Sequence, residues 1–289
     1  MGHLVLRGRT GPGALDSISN GENMKSPYYI NEPAAISFSG GRTSAYMLYK
    51  VLEAHSGKLP EEVKVTFANT GKEMPETLDF VKACSDNWDV PIVWLEFQGS
   101  KKADQPKIVN YKTASRNGEP FDRLTTEKSF LPNAMMRFCT QELKIVPIEK
   151  HMGDEFLTVV GIRADEPRRV AKQRAKPDYL VPLADAGVVV QDIRDFWAVQ
   201  NFGLDLPMMP SGVSNMSNCD LCFLKGMSIK MSIIRDHPEL ADWWEAQEQK
   251  IKGTFHKDNP SYSQMKLIAS DQGNLFEFDD ESIPCFCGD

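Results

Sequence analysis

Ser39-Gly40-Gly41-Arg42-Thr43-Ser44 brings two glycines, three hydroxyls and a guanidinium together in six residues. Two glycines let a backbone turn sharply and come close to a ligand. If a helix follows, its first amides and its dipole favour an anion, and hydroxyls and Arg42 add donors and charge. The chemistry suggested is phosphate binding. The same six residues also suit an ordinary polar strand-to-helix turn. Six cysteines form a second set: Cys84, Cys139, Cys219, Cys222, Cys285 and Cys287. No secretory signal precedes them, so a disulfide framework is not expected in a chain of this size. Metal or cluster ligation, redox chemistry and burial as apolar filler remain open. Cys84 lies on an apolar helical face and reads as filler.

The elements that would position these groups can be read from periodicity. Ala34–Phe38 is a short apolar run before the glycines, and Ala45, Leu48, Tyr49 and Leu52 make a helical stripe after them, fading at Ser56-Gly57. Val63–Ala68 reads as a strand ending in the polar Asn69-Thr70-Gly71-Lys72-Glu73, Pro75 opens a helix, and Pro91–Phe97 is a third strand. This β-α-β-α-β order implies a parallel, doubly wound sheet with right-handed crossovers. Ligands of such sheets bind beyond the carboxyl ends of the strands, so residues 39–44 and 69–73 should face one crevice.

Regularity is lost from Gln98 to Asn133, a stretch made basic by Lys101, Lys102, Lys107, Lys112 and Arg116, which is functional or a solvated excursion. A helix covers Gln141–His151, kinked or restarted at Pro147. Phe156–Ile162 is the fourth strand, emptying into Arg163-Ala164-Asp165-Glu166. Tyr179–Leu183 reads as extended, and Gln191–Phe202, Ser228–Asp236 and Glu239–Ile251 as helices. From Asp271 the chain is acidic and turn-rich. Asp165 and Glu166 suit Mg²⁺ or a turn cap. Trp243 and Trp244 could stack a base or fill a core. Arg168, Arg169, Lys172, Arg174 and Lys176 form a polyanion contact or a solvated face.

The whole composition sets limits. Over 289 residues the net charge is −7, with 33 basic and 40 acidic residues, so there is no global attraction to nucleic acid and any such contact must be local. No apolar run is long enough to span a membrane. Residues 1–23 read as a flexible leader or tag, 24–205 as a nucleotide-binding α/β domain and 206–289 as a smaller helical, cysteine-bearing part. The expected location is the cytoplasm.

In order and spacing, Ser39–Ser44, Phe67–Thr77, Val160–Glu166 and Val181–Asp185 resemble the adenine nucleotide α-hydrolase (PP-loop, N-type ATP pyrophosphatase) superfamily. Its phosphoadenylyl-sulfate (PAPS) reductase-like branch is the nearest likeness. The resemblance covers roughly residues 33–235. It implies a HUP-type α/β fold and an adenine nucleotide ligand, with Mg²⁺ accompanying ATP. Ser39, Gly40, Gly41, Arg42, Thr43 and Ser44 would hold phosphate or sulfate oxygens. Asn69, Thr70 and Gly71 would lie beside the nucleotide, and Arg163 would clamp a phosphate, making Arg42 and Arg163 the catalytic expectations. Many ATP-cleaving members carry Lys-Asp where this chain has Arg42-Thr43. Cysteines before a Lys-containing helix and a later Cys-x-x-Cys, here Cys139, Cys219 and Cys222, resemble those of cluster-bearing relatives. A [4Fe–4S] cluster is the implied group, with Cys287 or Cys285 as fourth ligand or one iron left open, and zinc the alternative.

Three functions follow as expectations. The first activates ATP at its α-phosphate, releases pyrophosphate and transfers sulfur to a tRNA or DNA acceptor. The second reduces PAPS or adenylyl sulfate to sulfite, with Cys285 or Cys287 as nucleophile. The third is a nucleotide-binding regulatory protein with a structural cluster. A sulfur- or electron-donor protein and a second copy of the chain, as a homodimer, complete the expected partners.

Overall fold

Alternation along three neighbouring strands divides the core between two faces. In β1 (Ala34–Ser37), Ala34 and Ile36 point to one apolar layer and Ala35 to the other. β2 (Val63–Ala68) sends Val63, Val65 and Phe67 to the first layer and Ala68 to the second, and β3 (Ile92–Glu96) divides Trp94 from Val93 and Leu95 in the same way. Strands buried on both faces need helices on both sides. The computed structural model, which describes residues 26–101, 103–208, 214, 216–217 and 219–271, supplies them. Helices α1 (Arg42–Ala54) and α2 (Pro75–Asn87) cover the first face, while Ile148 and Met152 of the later helix Val146–Met152 cover the second.

The sheet has six strands, and β1 is central. It pairs in parallel with β2 on one side and with β5 (Leu157–Val160) on the other. The full order is β4-β3-β2-β1-β5-β6, with β6 at Tyr179–Leu180. The chain leaves β1 in one direction and returns on its other side at β5. A crevice therefore opens between the loops after these two strands, the place where doubly wound sheets bind ligands. The expected parallel α/β architecture is present. Its one antiparallel member is β4 (Lys107–Val109), paired to β3.

The expected irregularity from Gln98 to Asn133 is corrected by β4 and by α3 (Glu119–Lys128). The α3 stripe is short, with Phe121, Leu124 and Thr125 buried, and Gly118 and Pro120 at its start mimic loop punctuation. The stretch expected at 141–151 divides into α4 (Phe138–Thr140), a π-helical turn (Gln141–Ile145) and α5 (Val146–Met152), whose first turn holds Pro147. After β5 come α6 (Pro167–Arg174), α7 (Pro182–Asp185) and α8 (Val190–Ala198). The extended reading of Tyr179–Leu183 thus holds only for its first two residues, because Pro182 opens a helix. α8 ends before Phe202. The region after residue 218 contributes α9 (Met227–Asp236), α10 (Leu240–Ile251) and α11 (Tyr262–Asp271), the last not foreseen in the sequence. With α3 these build a second apolar cluster around Trp244, Phe223, Phe255 and Tyr262. Trp244 is core, fully buried. Residues 1–23, Cys285 and Cys287 lie outside the described residues.

Candidate functional site

The glycine loop occupies the turn between β1 and α1. Gly40 has φ +82°, which only glycine adopts without strain. A Cβ added there would sit 2.7 Å from Thr77 Cγ2 and 3.2 Å from Phe67 Cε2, because α2 packs directly beneath the turn. Gly40→Ala is therefore expected to cost about 2–4 kcal/mol, from left-handed backbone strain plus overpacking. Urea unfolding measures it, and a loss below about 0.5 kcal/mol would contradict this packing. Ser44 stitches the loop together. Its hydroxyl donates to the Gly41 carbonyl at 2.9 Å and accepts from the Ser39 amide at 3.2 Å, with the Ser39 hydroxyl 2.9 Å away. Gly41 is the N-cap and provides no side-chain cap, and the first turn of α1 contains no acidic residue. The opening amides of a thirteen-residue helix thus face the crevice without a carboxylate on them.

The opposite wall comes from the end of β5. Gly161, just after β5, passes so close to α1 that an added Cβ would lie 3.1 Å from Ser44 Cα, a tight contact that glycine avoids. Arg163 follows two residues later and donates from Nη1 to Thr43 Oγ1 at 3.3 Å, across the crevice. Its Nε donates to Asp165 Oδ1 at 2.9 Å, which fixes the plane of the guanidinium. Although partial burial opposes ionisation, the Val190 amide and Arg163 hold the Asp165 carboxyl below its usual range. Glu166 accepts from the Arg163 amide at 3.1 Å and pairs with Arg169. Both carboxylates are thus engaged as turn-forming groups. Arg42 is placed differently from Arg163: its Nη2 donates to the Leu204 carbonyl at 2.7 Å.

The residues after β2 form a buried lattice. Asn69 Nδ2 donates to Glu96 Oε1 at 2.7 Å and to the Ser115 carbonyl at 2.9 Å, and the Gly71 amide donates to Asn69 Oδ1 at 3.2 Å. Thr70 donates from its amide and its hydroxyl to Glu73. Gly71, at φ +77°, touches Gly118, whose amide donates to the Gly71 carbonyl at 2.8 Å. A cleft at this end of the sheet is lined by Ser39, Ser44, Lys144, Phe156, Gly161 and Tyr179, and Asn69, Thr70, Gly71 and Arg163 lie outside its lining. Lys144, on the π-helical turn, stands 3.7 Å from Glu73. Its place in the cleft was not legible in the sequence, since its position depends on that non-α turn.

Cys219 and Cys222 are carried to the same end of the sheet. A two-residue bridge pairs Cys219 with Glu73, and Thr70 Oγ1 lies 3.7 Å from Cys219 Sγ. The next residue, Asp220, forms a buried ion pair with Lys72 at 2.6 Å and accepts from Trp244 Nε1 at 2.8 Å. Burial pushes the Cys219 thiol up, reinforced by Glu73 and Cys222 and opposed by Lys144 and Thr70. Cys139 packs against the same apolar cluster and is partly exposed. Thiols are suitable donors for a soft metal or cluster. As placed, however, no group of three or more His, Cys, Asp or Glu among the described residues is arranged to hold a metal ion. Cys84 is filler, as expected: it is fully buried, and burial pushes its thiol up.

The phosphoadenosine phosphosulfate reductase domain family matches residues 33–177, from the residue before β1 to the short stretch between α6 and β6. The chain belongs to this family. Its membership accords with the six-stranded sheet, the glycine loop at the switch point and the helical part that follows. The chain is also similar to an uncharacterised nin-region protein of Escherichia phage lambda, 34% identical over 203 residues, which cover 66% of this chain and 65% of the phage protein. A second likeness is to an uncharacterised protein of Methanocaldococcus jannaschii, 29% identical over 150 residues, half of this chain and 26% of the archaeal protein. The matches therefore span less than two thirds of either relative. Among the described residues no helix is long and apolar enough to cross a membrane.

Proposed function

We propose that this family member binds ATP in the crevice between β1 and β5 and activates an acceptor by attack at the α-phosphorus. The observation that carries the reading is the Ser39–Ser44 loop, with its uncapped helix start and Arg163 reaching across to Thr43. Ser39, Gly40, Gly41, Thr43 and Ser44 would hold phosphate oxygens, and Arg163 would balance charge as the bond to the leaving group breaks. An acceptor oxygen forms the new bond to the α-phosphorus, pyrophosphate departs with the electron pair, and the acceptor's proton passes to solvent. Arg42 supports this from outside, by tying the start of α1 to the Leu204 carbonyl. Asn69, Thr70 and Gly71 shape the wall beside the nucleotide. Mg²⁺ bound with ATP would neutralise part of the phosphate charge. The product is an adenylylated acceptor, at which a sulfur nucleophile can form a bond as AMP departs with the electron pair, and a tRNA or DNA acceptor is the finer proposal. Pyrophosphate release with ATP and nucleic acid tests it. No release with any acceptor would contradict it.

The four-cysteine set, Cys139, Cys219 and Cys222 with Cys287 or Cys285, stands as a proposal for a [4Fe–4S] cluster, with zinc the alternative. The shared apolar cluster of the first three supports it, while no donor group for a metal is assembled among the described residues. Four irons and matching sulfide in anaerobically purified protein would support the cluster. A colourless zinc protein would contradict it. A second reading is favoured by the family's own description, sulfonucleotide reduction in the same crevice. Sulfite release from PAPS with a thiol donor, in place of pyrophosphate release from ATP, would select it.

A further inference from the structure

A second cleft opens on the carboxyl edge of the sheet, away from the glycine loop. Its volume is about 460 Å³, and its lining is predominantly polar. Four cations face it: Lys107 on β4, Lys112 and Arg116 in the following loop, and Arg123 on α3. Two carboxylates line it as well, Glu96 and Glu119. Glu96 is buried at the floor and its oxygens are taken by Asn69 Nδ2, the Ser115 amide and the Ser115 hydroxyl. Glu119 accepts from the Asn117 amide at 3.0 Å. Arg116 donates to the Tyr111 carbonyl at 3.0 Å. Lys107, Lys112 and Arg123 have no ion pair or side-chain hydrogen bond among the described residues, and all three line this one cleft. On a chain of net charge −7, three unpaired cations in one concave polar surface form a local reversal of sign.

We infer that this cleft binds the phosphodiester backbone of a nucleic acid, with Lys107, Lys112 and Arg123 as phosphate contacts. The inference rests on the nucleic-acid acceptor of the proposed function and says where that acceptor is held. Placement favours it. β3, whose Glu96 forms the floor, is separated from β1 by β2 alone, so this floor residue lies two strand spacings, about 10 Å, from β1 along the same edge. The floor is joined to the crevice wall through Asn69, which bonds Glu96 on one side and the Gly71 amide on the other. A strand anchored here can present its next nucleotide to the crevice. Exposed cations on β4, the loop after it and α3, with side chains left free, suit sequence-independent backbone contacts.

The test is fluorescence anisotropy with a fluorescein-labelled single-stranded 20-mer, as DNA and as RNA, without ATP, from 50 to 300 mM salt. The proteins compared are the full chain, its Lys107→Gln/Lys112→Gln/Arg123→Gln variant and the charge-keeping Lys107→Arg/Lys112→Arg/Arg123→Lys variant. The expected result is a loss of at least about tenfold at low salt in the Gln variant, with a salt slope shallower by about 2. The charge-keeping variant should retain binding. ATP titration should be unchanged in both, which separates this site from the nucleotide crevice and excludes misfolding. Absent binding by the parent chain, equal binding by the Gln variant, or equal competition by poly-glutamate would overturn the inference. A chain that binds the 20-mer through these residues but not ATP would overturn the proposed function and leave this site standing.

Discussion

Asp220→Ala is expected to lower the free energy of unfolding by about 3–5 kcal/mol, the usual cost of removing one partner from a buried ion pair. Lys72 and Asp220 meet at 2.6 Å with side chains only 8% and 7% exposed. Their backbones are joined as well, since the Asp220 amide donates to the Lys72 carbonyl at 2.8 Å. Removing the carboxylate strands a buried Lys72 ammonium, leaving it among the described residues the face of the Trp243 ring, 4.9 Å away. It also takes the acceptor from Trp244 Nε1, a fully buried group. Both losses fall where the cysteine-bearing segment is tied to the loop after β2, so the melting temperature should fall by roughly 10 °C. The double variant Lys72→Met/Asp220→Asn keeps an acceptor for Trp244 and removes the stranded charge, and it should recover most of the loss. Calorimetry or urea unfolding reads both. A single variant costing less than about 1 kcal/mol would show that the pair does not hold the two parts together.

The second large effect concerns chemistry. Arg163→Ala should reduce kcat/KM for pyrophosphate release by about 10²–10³, the range seen when a preorganised donor to a developing charge is removed. The guanidinium is already oriented without ligand, with Nε on Asp165 and Nη1 on Thr43 Oγ1. Arg163→Lys keeps the charge but loses the planar fork and should restore only part of the rate. Asp165 is partly exposed and keeps its bond from the Val190 amide, so the fold should survive and the melting temperature should move little. A rate within threefold of the parent would remove Arg163 from the transition state.

Much of the architecture was legible because it depends on local signals. Alternating apolar residues in 63–68, the stripe of α1 and the glycines between β1 and α1 each specify their own element, and together they imply a parallel sheet. Arg163 was legible for the same reason: it follows a clear strand. What escaped depends on contacts distant in the chain. Nothing near Lys72 announces Asp220, and nothing near Asn69 announces that Glu96 and Ser115 occupy its amide, so a residue expected beside the nucleotide is spent on the wall itself. The helix α3 hid behind Gly118 and Pro120, whose turn character serves its entry. The π-helical turn that sets Lys144 into the cleft has no periodic signature. Cysteine spacing placed Cys219 and Cys222 together, yet where Cys139 stands relative to them is a tertiary matter that spacing does not contain.

The central claim is that an adenine nucleotide occupies the crevice between β1 and β5. Photolabelling with 2-azido-ATP followed by peptide mapping tests it most directly. Labelled peptides should come from residues 37–44, 144–149 or 156–163, and excess ATP should suppress the label. Labelling elsewhere, or labelling that ATP does not displace, would contradict it.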